Sequence, residues 1–331
     1  MQRRFLIVPK SKIVMKLKVP FSVLFLLFAN YISFAQDKII TQLPDSTSYW
    51  KKNNKIGFDI SETAFLNWNA GGNNSISGLL KGNFTRIYDY ENLKWHNELI
   101  IRYGVNKQDG VRLRKTDDAL IFNSTFGFRK DTVSNWFYSA KLNFNTQFTD
   151  GFAYPDTETA ISKFFAPAYI FLGVGTEYIN KEAKLKLYLS PLTQKTTLVL
   201  NQRLANEGAY GVKKAVYDEF GNIISEGHKS RTELGILITG QHKDEIFKNM
   251  FLENRLSLYS DYLNNFGNVD VNWQLQLDLI VNEYVSANIG THLIYDDDIK
   301  AKEEINGEQV TVGPKIQLKQ ILGVGLTYTF K

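Results

Sequence analysis

The sequence contains no cysteine. That absence excludes a disulfide framework, a thiolate metal site, a cysteine nucleophile and a lipid-modified N-terminal cysteine. Histidine is scarce as well: His96, His228, His242 and His292 are the four present, and no two stand at the His-x-x-x-His spacing of a helical metal pair. Mean hydropathy is −0.24, which excludes a polytopic helical membrane protein, because each span would need about 20 consecutive apolar residues. Proline is also sparse, at seven residues in 331. With Tyr and Phe abundant, this favours long regular strands. Aromatic residues make up 14% of the chain, which excludes a disordered one.

Acidic residues are missing from one region in particular. Residues 1–35 hold Arg3, Arg4, Lys10, Lys12, Lys16 and Lys18 and no carboxylate, so the formal charge of +5 leaves −1 for the rest of the chain. A basic protein normally raises nucleic acid as a partner. Here the excess lies in a leader, and nucleic-acid binding is not expected. Lys16 and Lys18 precede the apolar run Val19–Ile32, and Ser33-Phe34-Ala35 puts small residues at the −3 and −1 positions before Gln36. This is the pattern of a secretory signal peptide, with Met15 the expected start and cleavage after Ala35. Three regions are therefore expected: 1–35 as upstream extension and signal peptide, 36–54 as a periplasmic lead-in, and 55–331 as the folded domain.

That domain alternates with a period of two. In residues 269–281 the apolar set is Val269, Val271, Trp273, Leu275, Leu277, Leu279 and Val281, facing Asp270, Asn272, Gln274, Gln276, Asp278 and Ile280. In residues 315–330, Ile316, Leu318, Gln320, Leu322, Val324, Leu326, Tyr328 and Phe330 oppose Lys315, Gln317, Lys319, Ile321, Gly323, Gly325, Thr327 and Thr329, with Gln320 and Ile321 the exceptions to the alternation. Residues 94–106 and 135–148 repeat the pattern. A strand of a soluble sandwich averages about 5–6 residues, whereas a membrane-spanning strand needs about 9–11, with one face to lipid and one to a polar lumen. Trp68, Trp95, Trp136, Tyr178, Tyr284, Tyr295 and Tyr328 fall near expected strand ends, where interfacial girdles lie. The fold class expected is all-β: a transmembrane, antiparallel, up-and-down barrel in a bacterial outer membrane.

Loop parity gives the strand number. Short polar connections at 88–93, 131–134, 180–182, 242–245 and 282–283 alternate with mostly longer ones at 68–74, 106–116, 149–165, 202–228, 262–268 and 296–314. The alternation holds if residues 183–201 form one strand, with a bulge at Ser190-Pro191 that explains why the apolar phase flips from Leu185, Leu187 and Leu189 to Leu198 and Leu200. Twelve strands follow. Fourteen is the alternative, with a further hairpin inside 203–228.

Three motifs carry a family resemblance: Trp68-Asn69-Ala70-Gly71-Gly72-Asn73-Asn74-Ser75, Ser190-Pro191-Leu192, and His292-Leu293-Ile294-Tyr295-Asp296-Asp297. Together they resemble an outer-membrane family of Gram-negative bacteria, domain-of-unknown-function family 3078. The resemblance implies a membrane barrel and supplies no substrate, reaction or catalytic residue.

By phase, the lumen is expected to hold interleaved charges of both signs. The inward network is Glu98, Arg102, Lys141, Glu253, Arg255, Asp270, Asp278, Lys315 and Lys319, with Arg255 expected near Asp270 or Asp278 on the neighbouring strand. Such a lumen suits a narrow channel, or a small-solute binding or transport protein, and equally a closed structural or assembly barrel. A membrane lipid hydrolase is a further reading: His228 and Ser230 stand two apart near a strand start, as in outer-membrane phospholipases. Ser230 is followed by Arg231 and Thr232 rather than Asn and Gly, and no orienting Asn or Asp is evident. No catalytic residue, metal or cofactor is therefore expected. Asp296-Asp297-Asp298 with Glu303, Glu304 and Glu308 is read as a solvated acidic loop, because the ligand order of a calcium loop is absent. Gly325, Tyr328 and Phe330 in the last strand resemble the signal read by the barrel insertion machinery. That machinery, outer-membrane lipid and lipopolysaccharide are the partners expected. Leu326 should face lipid near mid-bilayer, with Lys319 and Thr327 facing the lumen.

Overall fold

The computed structural model describes residues 49–64, 73–264, 266–305 and 308–330. The expected signal peptide, most of the lead-in, Trp68, Gly71 and Gly72 lie outside the described residues. Twelve antiparallel strands close into a barrel, each hydrogen-bonded to the next in sequence and the last to the first. They are β1 (Trp50–Thr63), β2 (Ser75–Tyr90), β3 (Leu93–Gln108), β4 (Arg114–Phe128), β5 (Trp136–Thr146) and β6 (Ala168–Asn180). The second half comprises β7 (Leu185–Leu198), β8 (Ser230–Phe247), β9 (Met250–Asp261), β10 (Asp270–Ile280), β11 (Val285–Tyr295) and β12 (Gln317–Phe330). The first strand starts at Trp50, inside the segment read as a lead-in.

Period-two alternation appears directly as inside and outside. On β12, Leu318, Leu322, Val324, Leu326 and Tyr328 are 53–71% exposed on the outer wall. On β1 the outward row is Ile56, Phe58 and Ile60. Charged groups lie inside instead: Asp59, Glu98, Asp117, Lys195 and Glu233 are each 9% exposed or less. An apolar exterior around a charged interior suits a bilayer as solvent, since a closed barrel leaves no unpaired strand edge for lipid to meet. At one end the connections are short. At the other they are long and carry extra structure, so the short-turn end faces the periplasm. Trp50, Tyr88 and Trp95 cluster at that rim (Trp50–Tyr88 5.4 Å, Trp50–Trp95 5.8 Å), as do Trp136 and Tyr178 at 5.0 Å.

The bulge at Ser190-Pro191 is present. β7 shifts register against both neighbours there, between Val174 and Thr176 on β6 and between Gly235 and Leu237 on β8. Two corrections and one choice between alternatives follow from the register. The turn expected at 242–245 is part of β8, which continues to Phe247 and turns through Lys248 and Asn249, the latter at φ +63°. Its polar run resembles a turn, but Lys243 lies opposite Glu253 and is inside the ladder. The extra hairpin in the long loop exists as Val216–Tyr217 with Ile223–Ser225, yet it pairs only with itself, so the barrel has twelve strands and not fourteen. Leu326 lies opposite Val285, the first residue of β11, and so sits toward the periplasmic rim; Leu322, opposite Ile289, is nearer the midplane.

The outer loops are packed. In loop 199–229 a short helix, α1 (Gln202–Asn206), is capped by the Asn201 side chain, which accepts from the Leu204 N–H. Ala166, Val199, Leu204, Ala205 and Val212 form a buried apolar cluster that joins this loop to the chain before β6. The Tyr210 hydroxyl donates to the Ile161 carbonyl at 2.8 Å, and burial pushes its pKa up to about 12.

Candidate functional site

The strands deliver one polar row each to the lumen, and closure decides which rows meet. At the outer mouth the centre is Lys195 on β7. Its ammonium lies 2.6 Å from Asp270, 3.3 Å from Asp296 and 3.7 Å from Glu233, and 5.3 Å from the centre of the Tyr259 ring. Arg231 extends the group, 3.3 Å from Glu233 and 2.8 Å from Asp298. Asp296, Asp297 and Asp298 are thus not a merely solvated run: Asp297 accepts from Asn268 at 2.8 Å, Asp296 pairs with Lys195 and Asp298 with Arg231. Asp270, Asp296 and Asp297 bring carboxylate oxygens within 4.8 Å of one another, and Lys195 already supplies the cation for two of them.

Deeper in the lumen, Asp117 on β4 takes Arg102 from β3 at 3.1 Å and Lys319 from β12 at 2.9 Å. Asp59 on β1 takes Lys81 at 2.7 Å and the Asn288 amide at 3.1 Å. On the β6–β9 wall, Phe171, Tyr188, Leu237 and Tyr259 pack together facing inward. Lys141 lies 5.0 Å from the Tyr188 ring centre and donates to Thr239 at 3.0 Å.

Nearer the periplasm, Arg255 on β9 reaches Glu98 on β3. Both terminal nitrogens lie 3.3 Å from carboxylate oxygens. β3 and β9 are six strands apart in either direction round the barrel, so this pair crosses the full lumen. The carboxylate of Glu98 also accepts from Asn83 at 2.9 Å and Asn123 at 3.3 Å. The Nε of Arg255 is held by Glu253, which in turn takes Gln241 at 2.9 Å and Lys243 at 2.8 Å.

Several expected site residues therefore meet, with different partners. Arg255 pairs across the lumen with Glu98 and along its own strand with Glu253, not with Asp270 or Asp278 on the neighbouring strand. Asp278 accepts from Gln276 at 2.7 Å. Lys315 precedes β12 and is exposed at its outer end instead of deep in the lumen. The phase reading passed over Lys195 and Asp117. The flip at Pro191 is the signal for the first: beyond it Leu192 and Leu200 are outward, which turns Thr193, Lys195 and Thr197 inward.

Gly325 is tightly constrained, since a Cβ there would collide with the Asp59 carboxylate and the Phe58 carbonyl. Tyr328 and Phe330 stack at 5.8 Å with a 20° interplanar angle. His228 and Ser230 are exposed at the start of β8, and among the described residues no hydrogen bond joins their side chains.

With twelve strands, a lipid-suited exterior and a charged lumen, the chain is an outer-membrane β-barrel. Its fold is similar to an outer-membrane channel from Pseudomonas putida F1, at 10% identity over 86% of this chain and 99% of that one, with a TM-score of 0.38. It is also similar to the translocator domain of autotransporter NalP from Neisseria meningitidis, at 10% identity over 94% of this chain and 96% of that one, with a TM-score of 0.35. No curated protein matches the sequence. Residues 60–152 match the model of the family described as a protein of unknown function, DUF3078, the family that the sequence motifs resemble.

Proposed function

We propose that the protein is a narrow outer-membrane channel for small polar solutes, closed at rest by its own lumen charges. The observation that supports this is the Glu98–Arg255 bridge between opposite strands. A twelve-strand barrel has a lumen between the filled eight-strand type and the open porins, so one arginine suffices to cross it. Charges that pair with each other rather than with the wall can exchange partners with a passing polar solute or with water. Arg255 retains Glu253 when it leaves Glu98, which gives the open arrangement a partner for the cation.

In this reading the outer apolar band contacts outer-membrane lipid and lipopolysaccharide, and Gly325, Tyr328 and Phe330 serve insertion. No catalytic role is assigned to His228 or Ser230. Planar-bilayer recording tests the reading. The wild-type barrel should show rare, small openings, while Glu98→Ala and Arg255→Ala should each raise the open probability and the conductance. Steady wild-type conductance equal to that of both variants overturns the bridge as a closure. Silence of all three proteins overturns the channel and favours a closed structural barrel, for which the inward Phe171–Tyr188–Leu237–Tyr259 packing provides a filled wall.

A further inference from the structure

At the periplasmic mouth the lumen widens into a cavity of about 470 Å³ lined by Lys51, Lys94, His96, Lys181, Lys184 and Lys186, with Asp89 its one lining carboxylate. β2 and β3 supply one side of it, and β6, β7 and their turn supply the other. His96 is two residues from Glu98 on the same inward row, so the cavity lies directly on the periplasmic side of the cross-lumen bridge.

Most cations of the rest of the lumen are paired with carboxylates, Lys141 being held instead by Thr239 and the Tyr188 ring. Lys81, Lys195, Arg102, Arg231, Arg255 and Lys319 each have a carboxylate within ion-pair distance. In the cavity Lys184 is paired with Asp244, but among the described residues Lys51, Lys94, Lys181 and Lys186 form no ion pair. Asp89 on the lining and Glu177 beside Lys94 and Lys186 offset only part of this charge, so lysine remains in excess at the mouth and the uncompensated ammonium groups repel one another. The cavity also falls within the size range of small-molecule sites, about 300–1,000 Å³. Lysines act as mobile point charges, which suits compact oxyanions without a demand for fixed planar geometry.

We infer that this vestibule is a binding site for a small polyanion bearing phosphate or carboxylate groups, entered from the periplasm. The site stands independently of whether the lumen opens, because the anion need not pass the Glu98–Arg255 bridge to occupy it.

Calorimetric titration of the purified, folded barrel in detergent at low salt tests this, with inorganic pyrophosphate and citrate as the two anions and glucose as the neutral control. Saturable binding of either anion is expected, and the stronger of the two identifies phosphate or carboxylate as the preferred group. The Lys94→Gln/Lys186→Gln pair should weaken binding at least about tenfold, as loss of two close charge contacts requires. The Lys213→Gln/Lys214→Gln pair, in the outer loop, should leave it unchanged. A measurement on the wild-type protein covers the case in which the vestibule variant does not fold: pyrophosphate should protect Lys94 and Lys186, and not Lys213, from acetylation. No saturable binding by the wild type, equal affinity in both variant pairs, or uniform acetylation with and without anion each overturns the site.

Discussion

Replacing Lys195 with methionine should make the acidic cluster at the outer mouth calcium-responsive. Lys195 is 3% exposed, and its ammonium is the shared counter-charge of Asp270, Asp296 and Glu233. Methionine keeps roughly the length of the side chain and removes the charge. Three carboxylates then converge with only Arg231 left nearby, on Glu233 and Asp298. Removing one partner of a buried ion group costs about 3–5 kcal/mol. At a denaturant slope of ~3 kcal/mol/M, the urea midpoint in liposomes should fall by about 1 M or more. Calcium should restore part of that loss, because Asp270, Asp296 and Asp297 place oxygens within 4.8 Å of one another. A weak external-type site has a Kd of about 0.1–1 mM, so ~10 mM calcium stabilises the folded form by about 1.4–2.7 kcal/mol. The wild type should respond little, since the ammonium occupies the place a cation would take. An unchanged midpoint for Lys195→Met, or an equal calcium response in both proteins, refutes the assignment of Lys195 as the counter-charge.

Two barrel glycines should respond differently to an added methyl group, Gly325 at the β1–β12 seam and Gly290 on β11. Gly325→Ala forces a methyl against Asp59 and the Phe58 carbonyl and should cost about 1–3 kcal/mol in urea unfolding, while Gly290→Ala, with nothing within 4 Å of its new methyl, should be neutral. Arginine substitutions should rank by depth and facing. Leu322→Arg, on the lipid side near the midplane, should cost about 2–4 kcal/mol, Leu326→Arg about 1 kcal/mol near the rim, and Ile321→Arg little, because it faces the lumen beside Gly290. Equal costs at 321 and 322 contradict the facing of β12. Ser230→Ala should leave lipid-reconstituted protein unchanged, with no calcium-dependent fatty-acid release before or after; release abolished by the substitution establishes the hydrolase instead.

Strand number and facing were legible because both are local. Alternation in 315–330 needs only the two-residue period of a strand, and Leu318, Leu322, Val324, Leu326 and Tyr328 are outward as that period demands. The bulge was legible for the same reason: Pro191 lacks a donor and the apolar phase changes across it. The turn after β8 was not, since His242, Lys243, Asp244 and Glu245 have the composition of a turn. Only the tertiary partner Glu253 explains why Lys243 belongs in the ladder. The rule that reads strand ends from polarity fails where a strand is polar because it faces a lumen.

Cross-lumen partners lie beyond any periodicity argument, and they are what the functional reading depends on. Residues on adjacent strands are related by register, which hairpin connections largely fix. Residues on opposite strands are related by the closure of the whole sheet, so Glu98 and Arg255, 157 positions apart, share no local signal. The sequence nevertheless contains a weaker trace of the lumen's arrangement. An inward row of both signs implies pairing somewhere, and a row with one sign in excess implies that its partner is elsewhere. Lys94 on β3 and Lys186 on β7 belong to the second kind, on strands four apart that both line the periplasmic cavity. Counting inward charges end by end, after the barrel is closed, thus distinguishes a middle in which most charges are paired, Lys141 excepted, from a periplasmic mouth where lysine is in excess. The lysines that keep the mouth basic lie on the periplasmic side of the Glu98–Arg255 bridge, so under the proposed channel reading an anion drawn to the mouth arrives beside the pair whose separation that reading requires.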